Sequence, residues 1–277
     1  MHGPATTTSV IRSAIQELTL EGKPVCLHAS LRSFGRVEGS ASAVVDAFLL
    51  EGCTLLVPAF CCRTYSVPPP VHLRFRRNAT DYEALAEISM NSDRIYDPAT
   101  CEEIDENMGA ISAEVVSREG RSRGNHPLCS FAAVGPLAGL LVAGQEADNA
   151  FAPFETLAQL GGTVVLAGVT LRKMTMIHLA EKRAGRVLFR GWANGQDGQP
   201  VAVEGGACSA GFPRLASALS PLLREAEVGE SPWRVYPAAD TLRIAAQAIK
   251  DDPRITHCGK EPCPRCDDLI AGGPVLG

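Results

Sequence analysis

The sequence lacks any run of about 18 apolar residues, so no membrane-spanning helix is expected. Its first residues, MHGPATTTSVIRS, lack the basic start and apolar stretch of a secretory signal. Both absences point to a cytoplasmic protein with no membrane partner. Charge of one sign is also scarce. The formal net charge is −5 and the sequence pI is about 5.7. No basic stripe is present, so nucleic acid is not an expected partner. The weak acidity suits a cationic small molecule, although most soluble enzymes share it. There is no internal repeat and no linker of the kind that separates domains. What remains is 277 residues, 45% hydrophobic and 21% charged. That is ordinary globular composition with enough chain for a large core. The expectation is one domain over 1–277. Nothing in the sequence reports an oligomeric state. The ten cysteines are scattered rather than packed into a short scaffold, and several sit in apolar runs. They read as reduced thiols.

Apolar strand-like runs alternate with helical patterns. Thr8 or Ser9 is placed to cap a first helix running to about Leu20. Val25 to His28 reads as a buried strand, Ser40 to Leu50 as a helix and TLLVPAF at 54–60 as a strand. This alternation predicts an α/β sheet with helices packed on it. Residues 61–105 break the pattern with PPP at 68–70, RFRR at 74–77 and a helical stretch at 81–90, and read as a long functional excursion or lid. Helices are expected at 108–118, 136–142, 154–160, 176–184, 212–226 and 240–249. Strands are expected at 128–134 and 163–169. A hairpin is expected around the Asn194-Gly195 and Asp197-Gly198 turns.

The strand GTVVLAGV at 162–169 feeds TLRKMTMIHLAE at 170–181. On a helix, Thr175, His178 and Glu181 lie within about 120° of arc, beside the apolar side formed by Ile177, Ala180 and Ala184. His178 therefore falls at the border of the buried face. That position suits a histidine base, and it equally suits a core-edge histidine with a satisfied hydrogen bond.

Several stretches, in order, resemble the aminoglycoside 3-N-acetyltransferase family. They are LHASLRSFGRVEGSASAVVDAFL at 27–49, EGCTLLVPAF at 51–60, YDPATCEEIDENMGAI at 96–111, RSRGNHPLCSFAAVGP at 121–136, TMIHLAE at 175–181 and VEGGACSAGFP at 203–213. The resemblance implies a three-layer α/β/α sandwich around a mixed central sheet. It is distinct from the commoner N-acetyltransferase fold, whose R/Q-x-x-G-x-G/A phosphate turn is missing here. It further implies acetyl transfer from acetyl-CoA, as co-substrate, to the 3-amine of a cationic aminoglycoside, and hence antibiotic resistance.

By the same resemblance His178 is the base. Its orienting carboxylate is either Glu204 or Glu181, with Glu204 preferred because a residue at i+3 meets the ring obliquely. Thr175 stands near the thioester. The strand-end loop of Ser30, Leu31, Arg32, Ser33, Phe34 and Val37, together with His28, Ser130 and Phe131, is expected to hold the coenzyme. Glu181, Asp148 and His126 are expected toward the acceptor. The chain departs from the family in two places. TLRKMTM replaces a small Asp/Asn-rich stretch, and Asp148-Asn149-Ala150-Phe151-Ala152-Pro153 replaces an acidic run. A rival reading pairs one of the thiols with His178 in a cysteine acyl-enzyme. The tail holds His257, Cys258, Cys263 and Cys266, four potential metal ligands within ten residues. Structural zinc sites normally join two separated halves, so this compact set closes a tetrahedron poorly and no metal is expected.

Overall fold

The structure is a computed structural model describing residues 5–86 and 93–276. Its strands are β1 Pro24–Ala29, β2 Thr54–Pro58, β3 Phe75–Arg76, β4 Ser122–Arg123, β5 Phe131–Val134, β6 Thr163–Ala167, β7 Phe189–Asn194, β8 Pro200–Gly205, β9 Arg224–Val228, β10 Ser231–Pro237 and β11 Val275–Leu276. Its helices are α1 Thr8–Glu17, α2 Ser40–Leu50, α3 Cys62–Tyr65, α4 Tyr82–Ala86, α5 Ala110–Ser117, α6 Ala138–Val142, α7 Ala152–Gln159, α8 Met176–Arg183, α9 Ala216–Leu219, α10 Ala238–Asp251 and α11 Pro264–Ile270. The cap of α1 is Thr7, whose hydroxyl accepts the Val10 N–H, one residue before the expected caps.

Seven strands form one mixed sheet in the order β4-β5-β2-β1-β6-β10-β9. β1 pairs in parallel with β2 and β6, and the outer pairings are antiparallel. Successive residues of a strand point to opposite faces, and both faces here are apolar. Val25, Leu27, Leu55, Val57, Val165, Trp233 and Val235 face α1, α2 and α5. Cys26, Leu56, Phe131, Val164, Leu166 and Tyr236 face α6, α7, α8 and α10. The three layers expected from the sequence are present. The same alternation puts His28 on the α8 side, two residues after Cys26.

The segment 61–105 packs chiefly against the β7–β8 hairpin. Tyr65, Tyr96 and Cys101 form a small core with Leu128, Ala193 and Val203. Residues 87–90 of the helix expected at 81–90 lie outside the described residues, and the described part holds α4, Tyr82–Ala86. The helix expected over 212–226 is cut short. Pro221 sits in a 3₁₀ turn, and residues 224–228 become edge strand β9, which pairs with β10, a strand the periodicity does not reveal. Among the described residues no helix is long and apolar enough to cross a membrane.

Candidate active site

A cleft of about 350 Å³ opens at the C-terminal ends of the parallel strands β1, β2 and β6. Ligands of open α/β sheets characteristically bind there. Leu27, His28 and Ala29 line it from β1, Pro58 from β2 and Phe60 just after it, Val169, Arg172, Lys173 and Thr175 from the β6–α8 connection, and His178 from α8. Gly168 makes that connection possible. It adopts φ +66°, and a Cβ there would stand 1.9 Å from the Ser33 hydroxyl oxygen.

His178 lies in the first half of α8, and only 6% of its surface is exposed. Its ring packs between Phe151 and Phe212, at centroid distances of 5.5 and 4.9 Å. Gly206 closes the third side, where a Cβ would come within 2.7 Å of Cδ2 and Nε2. His178 Nδ1 is 2.9 Å from Glu181 Oε2. The other oxygen of Glu181 accepts from Arg186 Nη1 at 2.7 Å and from the Thr256 hydroxyl at 3.1 Å. Arg186 also donates to Thr256 and to the Pro253 carbonyl. Glu181 and Arg186 are both buried, so the carboxylate is fixed and charge-balanced from below. A carboxylate at Nδ1 retains the proton on that nitrogen and leaves Nε2 with its lone pair.

The expected contact between Glu204 and His178 does not form. Glu204 Oε2 takes the Lys182 ammonium at 2.8 Å, and Oε1 accepts the Ala150 N–H at 3.1 Å. The Glu204 N–H donates to the Ala147 carbonyl. Glu204 thus pins the 147–150 loop that delivers Phe151 to the histidine ring, while Glu181 meets the ring. Glu181 therefore lies beneath His178 rather than on the acceptor's side. Asp148 is exposed and is not part of the cleft lining. His126 is wholly buried. Its Nε2 donates to the Glu204 carbonyl at 2.8 Å, and its Nδ1 accepts the N–H groups of Leu128 and Cys129. With both nitrogens occupied it has nothing to offer a substrate, and burial holds its pKa down to about 4.

Of the residues expected at the coenzyme, only His28 lines the cleft. Burial, aided by the Lys173 charge, lowers its pKa to about 4, so it stays neutral. Ser33 is bonded to the Ser30 carbonyl and the Ser231 hydroxyl, both at 2.7 Å. Phe34 is buried edge-on to Trp233, and Val37 bridges Thr6. Ser130 binds the Ala59 carbonyl and Arg123, and Phe131 sits in the core against Phe60 and Phe154. These five shape the fold around the cleft. Ser30, Leu31 and Arg32 remain accessible at the end of β1, where Arg32 is exposed.

The periodicity gave no sign of Arg172, Lys173 and Arg265 as cleft cations, of Phe151 and Phe212 against the ring, or of Arg186 and Thr256 beneath Glu181. TLRKM carried the only visible signal, as a basic stretch just before the helix. Cys62 and Cys129 also line the cleft, but among the described residues no thiol hydrogen-bonds to His178. The Cys62 thiol donates to the Leu128 carbonyl instead.

The site is thus a strand-end cleft with a histidine backed by a buried carboxylate, on a mixed sheet between two helical layers. The chain belongs to the aminoglycoside 3-N-acetyltransferase family, whose model matches residues 26–250. It is similar to aminoglycoside N(3)-acetyltransferase IX of Micromonospora chalcea, with 32% identity over 189 residues, covering 66% of this chain and 64% of that protein. The aligned part thus spans just under two thirds of that relative's length. A crystal structure of the aminoglycoside acetyltransferase AAC(3)-IVa as apoenzyme has the same fold, with a TM-score of 0.75 and 22% identity, covering 97% of this chain and 98% of that one. So has AAC-IIIb, solved as a binary complex with CoASH, with a TM-score of 0.72 and 19% identity, covering 90% of this chain and 97% of that one.

Proposed function

We propose that the protein is an acetyl-CoA-dependent N-acetyltransferase that acetylates the 3-amine of an aminoglycoside's 2-deoxystreptamine ring and so confers resistance. The observation that carries this reading is the His178–Glu181 pair on the wall of the cleft. His178 Nε2 takes a proton from the acceptor's ammonium, and the freed lone pair attacks the thioester carbonyl carbon. Glu181 holds the ring by Nδ1–H and offsets the imidazolium charge. The tetrahedral oxyanion forms beside Thr175, which lines the cleft and whose hydroxyl would turn from the Lys173 carbonyl, 3.4 Å away, to donate to it. The C–S bond then breaks, and the coenzyme thiolate leaves and is protonated. The amide and the free coenzyme are the products. Family membership and the CoASH complex of AAC-IIIb support the choice of donor. The coenzyme lies along the end of β1, with Arg32, Arg172 and Lys173 meeting its phosphates. A cytoplasmic location suits both acetyl-CoA and ten unpaired thiols.

One observation favours a second reading of the acceptor. Among the described residues, the lining includes Arg172, Lys173 and Arg265 but no aspartate or glutamate. A polycation prefers carboxylates around it, so an amine of lower charge fits this lining better. Release of coenzyme thiol from acetyl-CoA, measured against 2-deoxystreptamine aminoglycosides and single-charge amines, separates the two. Turnover with the aminoglycosides upholds the first reading, turnover only with the simpler amines upholds the second, and no turnover with any amine sinks both.

A further inference from the structure

A cluster of four thiols lies outside the catalytic pair. The sulfurs of Cys208, Cys258, Cys263 and Cys266 all lie within 4.8 Å of one another. Cys263 caps α11 and Cys266 sits in its first turn, a Cys-Pro-Arg-Cys step. Cys258 lies on the turn between α10 and α11, and its N–H donates to the Cys266 sulfur at 3.4 Å. Cys208 comes from a remote part of the chain, the loop after β8. It supplies the separated half that the tail motif alone lacked.

We propose that these four cysteines bind one structural zinc ion. Zn–S bonds of about 2.3 Å put the sulfurs of a regular tetrahedron about 3.8 Å apart. Small side-chain rotations close the present cluster to that size. Three of the four residues are partly exposed, which leaves an entry route. His257 is excluded as a ligand. Its Nδ1 accepts the Gly259 N–H at 3.0 Å, and its Nε2 meets Asp267 Oδ1 at 3.3 Å. Asp267 Oδ2 in turn accepts the Cys263 N–H at 3.1 Å. These bonds organise the ligand loop, and the shell is all sulfur. Soft thiolates in tetrahedral array select zinc over hard cations. With four protein ligands no position stays open, so the ion is structural and not catalytic. Four thiolates leave excess negative charge, and Arg265 and Arg214, the latter against Gly259, stand beside it.

The site connects to the cleft through the chain. Gly206, Ala207 and Ser209, on either side of Cys208, line the cleft. Arg265, between Cys263 and Cys266, donates to the Gly206 and Ala207 carbonyls at 3.3 Å each. Thr256, which holds Glu181, lies two residues before Cys258. Zinc would therefore lock the rim that presses Gly206 onto the His178 ring. The inference rests on the sulfur geometry and does not depend on which amine is acetylated.

The test is metal analysis of the full chain purified under reducing conditions from zinc-replete cells. The expected result is zinc equimolar with protein in wild type and in Cys62→Ser, falling to background in Cys208→Ser and Cys263→Ser. Because those two variants can fail to fold, wild type is also reloaded with cobalt. Sulfur-to-cobalt charge-transfer bands and the visible bands of a tetrahedral site are expected. Metal-free wild type without cobalt bands would overturn the proposal. So would iron in place of zinc, or disulfides among these four cysteines in unreduced peptide maps.

Discussion

At the residue scale, the structure separates two glutamates that the sequence left in competition. Glu181 touches His178, whereas Glu204 acts on the loop behind Phe151. Glu181→Gln is expected to lower kcat by at least 10-fold, on the order of the loss seen when a partner that orients a working histidine is removed. Glu204→Gln is expected to lower kcat less and to lower thermal stability, because the Lys182 ammonium loses its buried counter-charge. Steady-state kinetics and thermal melts of the two variants check this, and equal kcat losses would undo the assignment. The place of His178 at the edge of the buried face was legible from helical spacing, while its reading as a base came from the family resemblance. Its partner was not. Whether residues three apart on a helix meet depends on rotamers, and here Nδ1 does reach Glu181. Nor could spacing show that Lys182 draws Glu204 away.

At the element scale, the strands around the cleft were readable because both faces of β1, β2 and β6 are buried, so each appears as a continuous apolar run. β9 and β10 were not. β9 is a half-exposed edge, REAEV, whose pattern resembles neither a core strand nor a helix. The packing of these elements also sets an acid limit on the fold. His28, on β1, and His126, before β5, are both held near 4 against an ordinary value of 6.5. The unfolded chain binds more protons between those values, so protonation favours unfolding. Stability contributed by the neutral rings is complete above about pH 6.5 and is lost as pH falls toward 4. Urea midpoints should be flat from pH 8 to about 6.5 and then decline. His126→Asn should start lower and decline less steeply. A wild-type midpoint unchanged down to pH 4.5 would contradict this.

At the scale of the whole molecule, two cores sandwich one sheet, and the helical layer opposite α8 reaches the cleft through Ile111 and Ser112 of α5. Phe48 of α2 is fully buried and stacks on Trp233 of β10, with centroids 5.8 Å apart and planes 4° from parallel. Phe48→Ala is expected to cost about 3–5 kcal/mol of folding stability. Denaturant unfolding would show it, with KM for acetyl-CoA little changed in the folded fraction. The layering could be read from alternation along the chain. Closure between remote segments could not, and Cys208 beside the tail cysteines is the clearest case, because nothing near it in sequence marks it as their neighbour. The same closure builds the candidate site, where α8 supplies His178, the loop after β8 supplies the glycine that admits its ring, and Thr256 steadies Glu181.

The claim that joins these scales is that His178 removes the acceptor's proton. The most direct measurement is single-turnover acetyl transfer by His178→Ala, with folding and acetyl-CoA binding verified on the same sample. The expected result is retained coenzyme binding with a transfer rate lowered by about 10²–10⁴-fold, the usual contribution of a general base. A His178→Ala enzyme that acetylates its best acceptor at near wild-type rate would contradict it.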